Sequence, residues 1–442
     1  MTPTLMTPTP PLPAPTERRP PGLLLALVGV AALVATPVLG CVGDCDFSRT
    51  VTVDELVLGV GMALGNTSIE HCADFDRNGD GRLAVEELVA AVGNALNGCS
   101  GQTHAFVVTT NFMAGSFATI GLDEPRQISR STSQRRVHSD AVVRTRDGLV
   151  YVVNRRFADN IQILDPGSDF KTRLQCSTGN GTNPHDIAFA DDGKAYVTLF
   201  EERELLIVNP RAQPDCRDFV RGTIDLGGLA DADGIPDMDL MAVVGDRLYV
   251  AMQRLDINSV LRLPAGKGAL AVIDTTSDTL VDTIELTGEN PFAATKGLPV
   301  RGGKLYVAQA GRFGVMDGGI ERVDLASGQP EGFFVTEEDL GGDVTDFVLV
   351  SEHLAYAIVS RREFSTALIA FDPVTATVTN TLLERDGYTL FDLELNDRGE
   401  LFLTDRDRQR DGVYVFRASD GTPLTPQPLD VGLTPFEVVF IP

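Results

Sequence analysis

PHDIAFADDGKAYVT, Pro184 to Thr198, holds in one stretch the pattern that decides the fold. Asp186 is followed by apolar residues, an Asp-Asp-Gly turn comes next, and Tyr196 leads a second apolar run. Two short apolar runs across a glycine turn read as paired strands. AVVRTRDGLVYVVN, Ala141 to Asn154, repeats the order, and the repeat recurs from His104 onward. Its acidic positions are Asp140, Asp186, Asp239, Asp346, Asp392 and Glu437, with Ala293 in the equivalent place of the fifth copy. The strand leaders are Tyr151, Tyr196, Tyr249, Tyr306, Tyr356, Phe402 and Phe106. Third strands end near Asp165, Asn209, Asp274, Asp324 and Asp372. Four strands returning every 45 to 54 residues indicate a β-propeller.

The ends of the region fix the blade number. PFEVVFIP, Pro435 to Pro442, has the character of a first strand without its followers, and HAFVVTT, His104 to Thr110, that of a second strand without its leader. Joined, they complete a seventh blade and leave no open edge. Pro184–Thr198 and Ala141–Asn154 resemble the YVTN-type, lactonase-like propellers. Those motifs mark blades rather than an activity. The chain has no Trp, so it lacks both the Trp-Asp signature of WD40 repeats and the tryptophan docking motifs of quinoprotein propellers.

The acidic positions begin the innermost strands, so they could ring one end of the channel, with His138 and His185 beside two of them. Converging carboxylates bind a cation or acquire raised pKa values; the plainer expectation is that each bonds the backbone of its own or a neighbouring blade. DADGIPDMD, Asp231 to Asp239, resembles a single calcium repeat of the thrombospondin type 3 kind; a turn is the other reading. Cys176 and Cys216 fall around the outer strands of consecutive blades, which predicts a disulfide. No Gly-x-Ser-x-Gly elbow, phosphate loop or HExxH is present. The lactonase resemblance implies an alternative activity, a metal-assisted hydrolase at the channel, with Glu437, Asn154 and Asp405 as ligands. Asn154 and Asp405 each stand three residues after a strand leader.

Upstream lies a different chemistry. DRNGDGRLAVEE, Asp76 to Glu87, sets oxygen donors at loop positions 1, 3 and 5 (Asp76, Asn78, Asp80), glycine at 6 (Gly81), the Arg82 carbonyl at 7 and Glu87 at 12. That is an EF-hand loop for Ca²⁺. DCDFSRTVTVDE, Asp44 to Glu55, is a weaker copy: Asp44, Asp46, Ser48, the Thr50 carbonyl and Glu55 hold the ligand positions, but Arg49 replaces the glycine. Each loop leads into similar text, VDELVLGVGMALGN (Val53 to Asn66) and VEELVAAVGNALNG (Val85 to Gly98). Apolar spacing such as Leu56, Val60, Ala63 and Leu64 predicts two amphipathic helices that bury their apolar faces together. The tandem loop-helix order resembles dockerin type I-like modules of secreted bacterial proteins. Positions 10 and 11, Val53, Asp54, Val85 and Glu86, depart from the hydroxyl pairs of cellulosomal dockerins, so the resemblance does not extend to cohesin binding.

The 442 residues carry a net charge of −25, which argues against nucleic acid or anionic membranes as partners. LLLALVGVAALV, Leu23 to Val34, has the length of a signal-peptide core and is short for a spanning helix. Val38 and Gly40 fit signal cleavage before Cys41, while Val-Leu-Gly-Cys also fits a lipobox that would anchor the chain at Cys41. Six cysteines follow the signal and can pair completely. The expectation is a mainly β protein, secreted or at the cell surface. Residues 1–40 are a signal peptide, 41–100 a small α-helical paired EF-hand module and 103–442 a seven-bladed propeller. The propeller is expected to bind or scaffold, with a protein, carbohydrate or small molecule as its unidentified ligand.

Overall fold

A computed structural model describes residues 42–45, 51–72, 75, 83–97, 102–131, 136–292 and 297–442. Seven antiparallel sheets follow one another as blades of a propeller. The first blade combines His104–Thr110, Gly115–Gly121 and Ile128–Arg130 with the innermost strand Pro435–Ile441. Val108 lies opposite Glu437, and His104 opposite Ile441, so the expected closure is present. The others run from Ala141 to Ser177, Pro184 to Asp225, Met238 to Glu289, Val300 to Thr336, Asp343 to Asp386 and Leu390 to Arg417, each from the centre outward.

Neighbouring blades cover both faces of each central strand, so these strands read as continuous apolar runs. Leu149–Asn154 and Ala355–Arg361 are buried almost throughout. Six strand leaders, Tyr151, Tyr196, Tyr249, Tyr356, Phe402 and Phe106, are buried, and Tyr356 satisfies its hydroxyl on the Ala418 carbonyl at 2.9 Å. Tyr306 is only half-buried. Two-residue turns close the inner hairpins; Asp147 and Gly148, at φ 50° and 71°, take the left-handed geometry that matches strand twist. The aspartates ending third strands cap the following turns: Asp324 accepts from Ser327 N at 2.7 Å and Asp372 from Val374 N at 2.8 Å.

The seventh blade departs from the four-strand expectation, with three strands. Its outer position holds the segment 422–429, which touches the third strand through two isolated bridges. Pro423, Pro426 and Pro428 lack the N–H a ladder needs.

Upstream, Val53–Ala63 and Val85–Asn97 are helices, close to the predicted spans. Thr52 and Glu55 form a capping box at the start of the first. The local core holds Met62, Cys72, Phe75 and Ala91, with a Cys45–Cys72 disulfide. The apolar phase differs from the expected one. Val60 and Leu64 are exposed, and the first helix instead buries Glu55, Gly59 and Met62. Gly59 lets the Phe75 ring come so close that a Cβ there would lie 2.5 Å from it. The face left outside is duplicated: Val53, Val57, Val60 and Leu64 on one helix, and Val85, Val89, Val92 and Leu96 on the other. Among the described residues, no helix is long and apolar enough to cross a membrane.

Candidate functional site at the mouth of the propeller

The innermost strands start at one end of the channel, and there the acidic positions do their work. Asp186 accepts from Met241 N of the next blade at 2.8 Å, Asp346 from Leu393 N at 2.8 Å, Asp392 from Val438 N at 2.8 Å and Glu437 from Val143 N at 2.5 Å. All four carboxylates are fully buried or nearly so. Each staples its blade to the following one, the plainer of the two readings. Arg144 extends this across three blades, with Nε 2.8 Å from Asp186 and Nη1 2.8 Å from Glu437. Burial opposes the charge on Arg144, but the two carboxylates outweigh it and hold the guanidinium above its ordinary range.

Two acidic positions differ. Asp140 precedes its strand and pairs with Arg155 at 2.5 Å, partly in solvent. Asp239 meets side chains instead of backbone: His185 Nδ1 lies 2.9 Å from one oxygen, and Gln253 Nε2 donates to the other. The His185 ring stacks on Phe200 at 4.2 Å. Ala293 lies outside the described residues.

The alternative hydrolase ligands are already engaged. Asn154 bonds His138 N at 2.8 Å, Asn160 and Gln162. Asp405 accepts from Arg385 Nε at 2.8 Å and Asp407 N at 2.9 Å, and Glu437 is held by Arg144 and Val143. Among the described residues no group of three or more His, Cys, Asp or Glu has metal-binding geometry. In the Asp231–Asp239 segment the acids cap turns: Asp231 takes Asp233 N, Asp233 takes Ile235 N, and Asp237 takes Leu255 N at 2.7 Å. Burial pushes Asp237 up to about 7 against that last bond, and Asp233 and Asp231 add to the effect.

Loops joining second to third strands, and outermost to next innermost strands, emerge at this same end. Five aromatic side chains of the propeller are exposed among the described residues: Phe112, Phe157, Phe313, Phe364 and Tyr388. All five sit in those loops. Phe112, Phe157 and Phe364 hold φ of 63°, 75° and 63°, a left-handed conformation costly for a bulky side chain and found preferentially at functional sites. Met113, in the same loop as Phe112, and Ile257, Val260 and Leu261, in the corresponding loop of the fourth blade, are further exposed apolar residues at this end. Arg406, in the loop 406–411, is half-buried among Phe112, Phe391 and Phe436 at 4.9, 5.6 and 5.2 Å. Burial pushes its guanidinium down to about 10. No sequence pattern announced this cluster, because its members come from two blades, the first and the seventh, with Phe112 far along the chain from the others.

Of the EF-hand ligands, Asp44, Glu55 and Glu87 are described and buried; Asp76, Asn78, Asp80, Arg82, Asp46, Ser48 and Thr50 lie outside the described residues. Glu87 accepts from Ala84 N at 2.9 Å, as Glu55 does from Thr52 N at 2.7 Å, so the two loops close alike. Buried carboxylate oxygens are donors that suit a hard cation such as Ca²⁺. Glu55 also takes Cys45 N at 2.7 Å. Cys176 and Cys216 form the expected disulfide, joining the second and third blades; Cys41 and Cys99 lie outside the described residues.

No protein-family model matches the chain, and no curated protein matches it. Solved structures do. A quinoprotein alcohol dehydrogenase-like protein from Bacteroides thetaiotaomicron matches at TM-score 0.51 and 11% identity, over 77% of this chain and 78% of its own. A functionally unknown protein from Desulfotomaculum acetoxidans matches at TM-score 0.50 and 14% identity, over 76% and 98%. Apo AztD from Citrobacter koseri matches at 0.47 and 13%, over 76% and 97%. The likeness to the first two is one of fold: the chain carries a β-propeller.

Proposed function

We propose that this is an extracytoplasmic binding or scaffold protein that uses the loop-bearing end of its propeller as the binding face. The confinement of all five exposed aromatics to that end carries the reading. Exposed aromatic side chains gathered at one end of a ring, and absent from the other among the described residues, are what a binding face presents. The stapling carboxylates support it from the other side, since they hold blades together and are committed to backbone donors. Peptide and glycan arrays probed with the unaltered chain and with a Phe112→Ser, Phe157→Ser, Phe364→Ser variant test the face. Hits lost in the variant support it; identical hits sink it.

The module at 41–100 is the calcium-binding accessory, and 1–40 is the export signal, with free secretion or a lipid anchor at Cys41 as its two outcomes. Asp76, Asn78, Asp80, the Arg82 carbonyl and Glu87 form the strong site; Asp44, Asp46, Ser48, Thr50 and Glu55 form the weak one. Bound calcium supplies charge that neutralises these clustered acids and holds the loops folded. The buried Glu87 and two disulfides in the described chain support this reading. Calorimetry with Ca²⁺ on the whole exported chain should show binding that weakens at least tenfold in Glu87→Gln, and unchanged binding there removes the assignment.

A further inference from the structure

Arg406 is a cation held by carbonyls, with Asp411 of its own loop acting on it only at longer range. Its Nη1 donates to the Pro435 carbonyl at 2.6 Å and its Nη2 to the Thr110 carbonyl at 3.4 Å, and no ion pair reaches it among the described residues. Four guanidiniums in the same set of loops are paired, Arg155 with Asp140, Arg254 with Glu285, Arg262 with Glu201 and Arg312 with Asp317. Arg362 is held by the Gly314 carbonyl and Arg156 lies over the Phe157 ring, but Arg406 differs from both in being packed among three rings. The Arg406 guanidinium is a planar fork of five donors. Two bonds to carbonyls leave donors that no described residue takes up, in a plane suited to a carboxylate or phosphate.

Three rings fix that plane. Phe436 and Phe391 pack on each other at 4.6 Å, and Phe112 meets Phe436 edge-on at 6.1 Å. Phe112 N donates to Thr110 Oγ1 at 2.8 Å, which holds the left-handed turn and keeps the ring over the guanidinium. Beside it Met113 is 92% exposed, and Phe157 of the next blade 86%. The local arrangement is thus a charged fork bordered by apolar surface, on a protein of net charge −25. That overall charge repels anions at long range, but exposed charges beyond about 10 Å are largely screened at 0.1 M salt. Partial burial of Arg406 leaves its own field less screened.

We propose that Arg406 seats an anionic group, carboxylate or phosphate, borne on an apolar or aromatic body that lies against Phe112, Met113 and Phe157. This deepens the reading of the propeller end as a binding face and rests on it. The ligand binds by one charged end and one greasy side, so a neutral isostere loses the larger part of its affinity.

The test compares 4-phenylbutyrate, phenyl phosphate and neutral 4-phenylbutyramide on the unaltered exported chain, by calorimetry and saturation-transfer NMR. Either anion should bind at least tenfold more tightly than the amide, with the advantage falling as salt rises. Arg406→Gln should erase that difference, and Phe112→Ala should weaken anions and amide together. Because the comparison of ligands needs no substitution, misfolding of a variant leaves it decisive. Acetyl-Phe-Asp-Phe amide identifies the source of the anion: tighter binding than 4-phenylbutyrate points to an acidic chain of a partner protein, and weaker binding to a free small acid. Equal binding of acid and amide overturns the anion seat while leaving the face a binding surface. Binding by neither overturns the seat and weakens the face itself.

Discussion

Four joints of the ring and three others are built differently. Between the first and second, third and fourth, sixth and seventh, and seventh and first blades, an acid of the innermost strand takes a backbone N–H of the following innermost strand. The remaining joints reach the same end by other means. The second and third blades share the Cys176–Cys216 disulfide and the Arg144–Asp186 pair. The fourth and fifth are tied by Glu321, fully buried, which accepts from Thr287 N at 2.9 Å and Thr287 Oγ1 at 2.5 Å. The fifth and sixth are tied by Glu337 in the short helix Glu337–Leu340, which accepts from Gly318 N at 2.9 Å and Val344 N at 3.2 Å. A buried backbone donor needs an acceptor, but which residue supplies it is free to change. Where the repeat lapses, the acid at the repeat position is released: Asp239 turns to His185 and Gln253, and Asp140 to Arg155.

The largest effect expected from disturbing a joint lies at the disulfide. Its 40-residue separation corresponds to about 4 kcal/mol of chain entropy. The Cys176→Ala, Cys216→Ala variant should lose that much in urea unfolding, and a loss below about 1 kcal/mol would show the joint needs no covalent tie. Asp392→Ala should cost about 2 to 3 kcal/mol, because it leaves the buried Val438 N–H without its acceptor.

A subtler probe is pH. Burial pushes Glu337 up to about 8 against the Gly318 N–H, with Asp343 and Asp317 adding to it. A carboxyl whose folded pKa exceeds its unfolded value stabilises fully below the unfolded value of about 4.5, and that contribution is lost as pH rises through 8. Denaturation midpoints should therefore fall between pH 5 and 9, less steeply in Glu337→Gln; parallel curves refute this. Smallest of all, Asp140→Ala should cost under about 1 kcal/mol, since its pair with Arg155 is partly solvated. Equal costs for Asp140→Ala and Asp392→Ala would collapse the distinction between regular and substituted joints.

Much of this architecture was readable along the chain. Tyr196 and Phe402 announce central strands because two-sided burial makes a run apolar from end to end. The closure between Pro435–Ile441 and His104–Thr110 was readable because each fragment supplied what the other lacked. Glu321 and Glu337 were missed. They stand outside the repeat position, though an acid inside an apolar third strand was a signal that could have exposed Glu321. The helical phase of the module was misread because glycine, at Gly59, marks close packing without looking apolar. Arg406 was beyond reach: Thr110, Phe391 and Pro435 become its neighbours only once the ring exists.

The inner strand Pro435–Ile441 has a consequence for biogenesis. It is made after every other strand of the ring, yet it belongs to the first blade. Until it arrives, His104–Thr110 offers an unpaired edge, the kind of surface that templates aggregation. A ribosome that stops early therefore leaves a product with six finished blades and one sticky seam. Proteolytic surveillance could recognise that seam without reading any other part of the molecule.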